Sequence, residues 1–249
     1  MSDDPVGLIR SWEEPELEIS VDVLRSFYGW SKETRIEDCS DRAYMDLRRT
    51  MNFDKINNTD KKKFDYDKKQ YRNEVNKLIS GAVSSLLAGK YPSFDGWHDE
   101  TCDAMIKMSC KNVVIEKDGF TYGQAQKWLN MTIKNMMICG PGGWDDGKLN
   151  NFRDVIHVPV DSYILIAASA VRHPKLIDAK VELPKVRVSG LPDRAWESIK
   201  WSTWNEPAEY KEFQVNLREA VKQAGYSAIE WEFDVWPKVR DAMNKKERR

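Results

Sequence analysis

Two residues stand where chemistry can begin. Asp161 follows Val158-Pro159-Val160 and opens an apolar segment that starts at Ser162. A carboxylate at the end of a helix can stabilise a positive charge developing on a bound group, and can take a proton from a water or an amine. Lys127 lies in the second turn of a helix that opens at the glycine-flanked turn Lys117-Asp118-Gly119-Phe120-Thr121-Tyr122-Gly123. An amine kept neutral by a low-polarity pocket can attack an electrophilic carbon and form a Schiff base. The two residues are 161 − 127 = 34 positions apart, so only tertiary structure can bring them together.

Each residue also has a simpler role. Asp is a preferred helix N-cap, worth about 1 kcal/mol, and Asp161 is placed to cap a helix over 162–171. Capping and chemistry are compatible, because a cap aims its carboxylate out of the helix end. Lys127 shares a face with Asn130 and Lys134, opposite the stripe Ala125, Trp128, Leu129, Thr132, Ile133 and Met136. That pattern reads as a solvated face. Trp97, His98 and Asp99 invite an acid–base role, but no partner pattern surrounds them.

The elements that must position these groups are helical. Residues 1–19 read as an extended lead-in and Val21–Tyr28 as a short helix. Asp41–Met51 reads as a helix with Tyr44, Leu47 and Met51 on one face. Residues 54–68 are Lys- and Asp-rich and read as a mobile loop. A broad 3.6-residue stripe predicts a helix over Lys69–Leu87, stopped near Gly89. Ser93 is placed to cap a helix over 94–110, and Thr121 one over Tyr122–Cys139. Residues 155–161 read as extended and Ser162–Val171 as helix. Residues 173–192 read as loop or minor strand. Asp193–Lys200 and Pro207–Ala224 read as helices, and a last helix follows Pro237. The expected fold is one mostly α domain over 1–249, with possible subdomains 20–114 and 115–249.

Composition narrows the function classes. The chain has 249 residues with 41% hydrophobic and 32% charged residues, a mix that supports a packed core. No apolar run of about 18 residues occurs, so no membrane partner is expected. The acidic start Met1-Ser2-Asp3-Asp4-Pro5 predicts no secretory signal. A cytoplasmic protein is expected, nucleoid-associated if it acts on DNA. Cys39, Cys102, Cys110 and Cys139 form no C-x-x-C pair and only three histidines occur. No metal site, metal cluster or cofactor is therefore expected. The formal charge of −1 is low for a nucleic-acid binder, so DNA binding has to rest on a local patch. Lys61-Lys62-Lys63, Lys68-Lys69 and the tail 245–249 are candidates, each with a solvated loop or terminus as its plain alternative.

A third feature joins the first two. The segment Ile229-Glu230-Trp231-Glu232-Phe233-Asp234-Val235-Trp236 is aromatic and near the C-terminus. The order of glycine-flanked turn with lysine, Val158-Pro159-Val160-Asp161-Ser162 and terminal aromatic segment resembles the helix-hairpin-helix (HhH-GPD) DNA glycosylase superfamily. The wide spacing, Gln126-Lys127 and Thr132-Ile133-Lys134 are most similar to its archaeal 8-oxoguanine glycosylase branch. The similarity spans roughly residues 115–170 and 228–236.

The resemblance implies two helical subdomains flanking a cleft, and DNA with a modified base as partner. It implies Asp161 and Lys127 as catalytic residues. Gly119, Thr121, Tyr122 and Gly123 would grip phosphate through backbone amides. Trp128, Tyr163, Trp231, Phe233 and Trp236 are candidates to sandwich a flipped base, with core packing as the alternative for the tryptophans. Two departures stand out. Phe120-Thr121-Tyr122-Gly123 replaces the usual Leu-Pro-Gly-Val-Gly hairpin, and Lys127 lies four residues after Gly123 rather than two. Two helical positions are about 200° of rotation, so on the usual register Lys127 points away from the site. A non-catalytic helical interaction or defence-associated module that keeps only the architecture is the alternative function.

Overall fold

The computed structural model describes residues 34–51, 53, 61–112, 119–139 and 148–245. The expected lead-in over 1–19 and the helix over Val21–Tyr28 lie outside these residues. The described chain is mostly helical, with no β-strand among the described residues. We label its helices α1 (Ile36–Leu47), α2 (Lys61–Leu87), α3 (Phe94–Asn112), α4 (Tyr122–Cys139), α5 (Ser162–Ala168), α6 (Pro174–Asp178), α7 (Ala195–Ser198), α8 (Pro207–Gln223) and α9 (Ala228–Asn244). Short 3-10 turns lie at Arg48–Thr50, Lys148–Phe152 and Trp201–Thr203.

Local chemistry explains most boundaries. The Asp38 carboxylate accepts from the Arg35 amide and starts α1 earlier than its apolar stripe suggests. Thr121 Oγ1 accepts from Gln124 N at 3.1 Å while Gln124 Oε1 accepts from Thr121 N at 3.2 Å, a reciprocal cap that starts α4. Gly89 takes φ +70° after α2, a left-handed conformation that glycine adopts without a Cβ penalty.

Several expectations need correction. Residues 61–68 are the first turns of α2, not a loop, because Phe64 packs its ring into the buried core. The 229–236 segment is helical, and Pro237 sits inside α9 rather than before it. The Ser227/Glu230 capping box starts that helix, with Ser227 N donating to Glu230 Oε2 at 2.8 Å. Tertiary packing then holds it past a proline that lacks the N–H for the carbonyl four residues back. Between 193 and 200 only Ala195–Ser198 is helical, and 162–171 is helical only to Ala168. Within 173–192, read as loop or minor strand, Pro174–Asp178 is helical, because Pro174 sits at the first helical position after the His173 cap.

Helix α4 is the centre of the fold, packed by α1, α3 and the 201–203 turn. One cluster of buried side chains runs from Cys39 to Ala242, so residues on both sides of position 114/115 share a core. Trp128 of α4 shows the join: its Nε1 donates to Ser40 O at 3.0 Å and to Ser40 Oγ at 2.9 Å, and its ring lies 5.0 Å from that of Tyr44.

Candidate functional site

The polar residues of α4 hold the extended segment 158–161 against the helix. Such a segment has no sheet neighbour, so its buried backbone groups need side-chain partners. Gln126 Oε1 accepts from Val160 N, and Gln126 Nε2 donates to Val160 O, both at 3.3 Å. Asn130 Nδ2 donates to Val158 O at 3.1 Å. From the other side, Gln214 of α8 accepts from Val158 N at 3.1 Å and donates to Val158 O at 2.9 Å. Five hydrogen bonds to the amides and carbonyls of Val158 and Val160 thus fix the approach to Asp161.

Asp161 caps α5 with one oxygen and pairs with Lys127 and Trp236 through the other. Oδ1 caps α5, accepting from Tyr163 N at 2.9 Å and Ile164 N at 3.0 Å. Oδ2 accepts from Lys127 Nζ at 2.8 Å and from Trp236 Nε1 at 2.9 Å. Burial alone pushes this carboxyl up. The Lys127 charge and hydrogen bond, with those from Trp236 and the Ile164 amide, outweigh that and hold it below the ordinary Asp range. The carboxylate is therefore ionised at neutral pH, and its side chain keeps 15% exposure.

Lys127 corrects the helical-wheel reading of this face. Lys127 is 6% exposed and Asn130 1%, so the face is not solvated. It is buried against 158–161, and the amine meets Asp161 rather than pointing away from it. The lysine also lies 3.4 Å from Pro159 O.

The expected base-sandwich residues divide. Trp236 donates to Asp161, and the half-buried Tyr163 ring stands edge-on to it at 5.7 Å. Trp236 thus contacts the carboxylate directly, and Tyr163 reaches it through its backbone amide. Trp128 and Trp231 are fully buried, and Phe233 is 6% exposed. They are core, not open platforms. Lys134 sits between Phe233 and Trp236, over the rings at 4.6 and 5.4 Å, and pairs with Glu232 at 2.7 Å.

The expected phosphate grip is also corrected. Gly123 N donates to Trp204 O at 2.9 Å and Thr121 Oγ1 donates to Ser202 O at 2.8 Å. A Cβ on Gly123 would lie 1.8 Å from Trp201 O. Thr121 and Tyr122 are buried. The Gly123 amide and Thr121 hydroxyl are taken by residues 201–204 and the Thr121 amide by Gln124, and the glycine is required for the close approach of Trp201. Gly119, with φ +65°, is the partly exposed member of the four.

A second polar group was barely visible in the sequence. His98, His157 and Tyr210 come together from α3, the 156–161 segment and α8. One chain of donors satisfies them with both imidazoles neutral. His157 Nε2 donates to Asp95 at 2.9 Å, Tyr210 Oη donates to His157 Nδ1 at 2.8 Å, Asn130 Nδ2 donates to Tyr210 Oη at 2.8 Å, and His98 Nε2 donates to Asn130 Oδ1 at 2.9 Å. Burial lowers both histidines from 6.5, and His98 further, because protonating it beside His157 would set two like charges together. The His157 hydrogen bond lowers Asp95 against the opposing effect of burial, and the Arg218 fork, 3.0 Å to each carboxylate oxygen, lowers it further. In the sequence His98 draws attention beside Trp97 and Asp99, and the Gln126/Asn130 pattern at i, i+4 is a further signal, since an amide side chain can both donate to and accept from backbone.

Three hollows lined by described residues lie away from the Lys127–Asp161 pair. One, about 650 Å³, lies between α1 and α2. Another, about 840 Å³, is walled by residues 166–172 and 182–187. A third, about 150 Å³, lies by Trp204 and Phe213. Among the described residues no helix is long and apolar enough to cross a membrane. Comparison with protein-family models, with curated proteins and with solved structures finds no match for this chain.

Proposed function

We propose that this chain is a DNA N-glycosylase acting on a modified base, oxidised or phage-modified, with Asp161 and Lys127 as its reacting pair. The observation that carries this reading is the 2.8 Å contact between Lys127 Nζ and Asp161 Oδ2 beside Trp236 and Tyr163. As the bond from C1′ to the base breaks, its electrons leave with the base and positive charge grows on the sugar. The ionised Asp161 stabilises that charge. A water then adds at C1′ and gives its proton to the carboxylate. In the lysine route the ammonium first gives its proton to Asp161, and the amine adds at C1′ to begin a Schiff base. The fully buried Trp128 and Trp231 take no part in this scheme.

The test is base release from duplexes carrying 8-oxoguanine, uracil, hypoxanthine or a bulky phage-type pyrimidine. Release from at least one duplex, abolished in Asp161→Asn, is expected. Lys127→Gln abolishes borohydride trapping if the lysine is the nucleophile, and spares base release if water is. Release that survives Asp161→Asn removes the mechanism.

A second reading is favoured by one observation, the Gly123 amide already donated to Trp204 O. In that reading the chain is a non-catalytic helical module and the Lys127–Asp161 pair is a clamp between α4 and α5. Flow-through on a DNA column at low salt supports it, and late elution with steep salt dependence supports the enzyme.

A further inference from the structure

The hollow between α1 and α2 concentrates positive charge in a protein whose formal net charge is −1. Arg48, Arg49, Lys68, Lys69 and Arg72 line it, against the single carboxylate of Asp65. Two of the cations are already engaged. Lys68 lies 3.5 Å from Asp65, and Arg72 lies 3.0 Å from Asp41. Among the described residues Arg48, Arg49 and Lys69 form no ion pair, and all three are exposed. The turn that carries both arginines is tied down, since Gln124 Nε2 donates to Thr50 O at 2.6 Å. These charges come from two elements whose backbones are fixed on opposite sides of one concavity, where field lines are focused rather than dispersed.

The same hollow has an apolar wall. Phe53 and Phe64 stand edge to face at 6.5 Å, and Tyr44 completes the lining. Lys68 Nζ rests 4.6 Å over the Phe64 ring and 5.6 Å over Phe53, so the rings hold that ammonium inside the hollow. A volume of about 650 Å³ is in the range of small-ligand sites, roughly 300–1,000 Å³. Unengaged guanidinium and ammonium groups suit phosphate, and aromatic rings suit the face of a base. A simple anion would leave the rings unused, and an apolar ligand would leave the cations unused.

We propose that this hollow binds a nucleoside phosphate, free or as a unit of a nucleic-acid strand, with phosphate on Arg48, Arg49 and Lys69 and the base against the partly exposed ring of Phe53, behind which Phe64 is buried. The site does not depend on the glycosylase reading. It uses no residue of the Lys127–Asp161 pair, so binding here and base release there fail independently.

The test is fluorescence polarisation of the full chain at low salt with a fluorescein-labelled oligothymidylate of about twelve nucleotides, with dAMP and inorganic pyrophosphate as competitors. Binding is expected to weaken about tenfold or more in Arg48→Ala/Arg49→Ala and in Lys69→Glu. The logarithmic salt slope is expected near about −2 for three phosphate-facing cations. Phe53→Ala weakens dAMP more than pyrophosphate. Lys77→Ala, exposed on α2 outside the hollow, leaves binding unchanged. Oligothymidylate much tighter than dAMP assigns the site to a strand, and equal affinities assign it to a free nucleotide. Either supports the proposal. Absence of binding by every probe overturns it. Unchanged affinity in the Arg48 and Arg49 variant overturns it too, as does pyrophosphate competing as well as dAMP. Far-ultraviolet circular dichroism of each variant checks the fold, which the substitutions at the exposed Arg48, Arg49, Lys69 and Lys77 leave intact.

Discussion

Trp236 Nε1 and Lys127 Nζ donate to the same oxygen of Asp161, at 2.9 and 2.8 Å. One carboxylate therefore ties α9 and α4 together while its other oxygen caps α5. The pair is both the candidate reacting centre and a junction of three helices, which makes its energetics separable from its chemistry.

Breaking the pair from one side leaves a largely buried charge without its partner. Asp161→Asn keeps a capping oxygen but strands Lys127, and we expect a loss of about 3 kcal/mol in urea unfolding. Lys127→Met strands Asp161 with a similar cost. The double variant recovers much of it, because both charges are gone. Additive losses in this cycle would show that the two groups do not interact, whatever the activity assays report.

Gly123→Ala drives a methyl into Trp201 O, and the obstacle is backbone that cannot rotate away. A loss of about 2 kcal/mol or more is expected, with the 201–204 segment displaced. Gly81, inside α2 with open space around its missing Cβ, gives the opposite sign: Gly81→Ala gains about 0.5–1 kcal/mol. Thermal unfolding of the two variants checks both, and a neutral Gly123→Ala would contradict the packing described.

Stability should fall on acidification below about pH 6.5 through His98 and His157. Their folded-state values lie below 6.5, so the unfolded chain takes up protons first as pH falls. Neutral burial thus contributes fully above 6.5 and is progressively lost below it, with a slope of up to about 1.4 kcal/mol per pH unit for each histidine. The lowered Asp95 adds a loss that begins only below its ordinary 3.8. Urea midpoints at about pH 7.5 and about pH 5.5 read the histidine part. Equal midpoints would mean that neither ring is buried neutral.

Tyr210→Phe removes the hydroxyl that accepts from Asn130 and donates to His157. It leaves His157 Nδ1 without its donor, while Asn130 Nδ2 keeps Gln126 Oε1 and Val158 O, at a cost of about 1–3 kcal/mol. The same variant should change the steepness of the pH dependence between neutrality and mild acid, since His157 loses its Nδ1 partner. A loss of stability with an unaltered pH profile would place the hydroxyl outside the network.

How much of this was legible beforehand depended on the range of the interaction. The reciprocal Thr121–Gln124 cap and the Gly89 stop are local, made by residues within a few positions, and the chain alone placed the start and end of α4 and the end of α2. The Val-Pro-Val-Asp junction likewise announced a capped helix at Ser162. A helical wheel, however, assumes one buried face, and it put Lys127 in solvent. Burial of Lys127 and Asn130 exists because α4 is surrounded, with segment 158–161 laid along what looked like its outer side. The continuation of α9 through Pro237, the covering of Gly123 by Trp204 and the gathering of Arg48, Arg49 and Lys69 around one hollow are of the same kind. Side-chain periodicity and capping are properties of a few adjacent residues, so the chain determined them by itself. Which polar face is dehydrated depends on what packs against it from distant positions, and only the tertiary structure decided that.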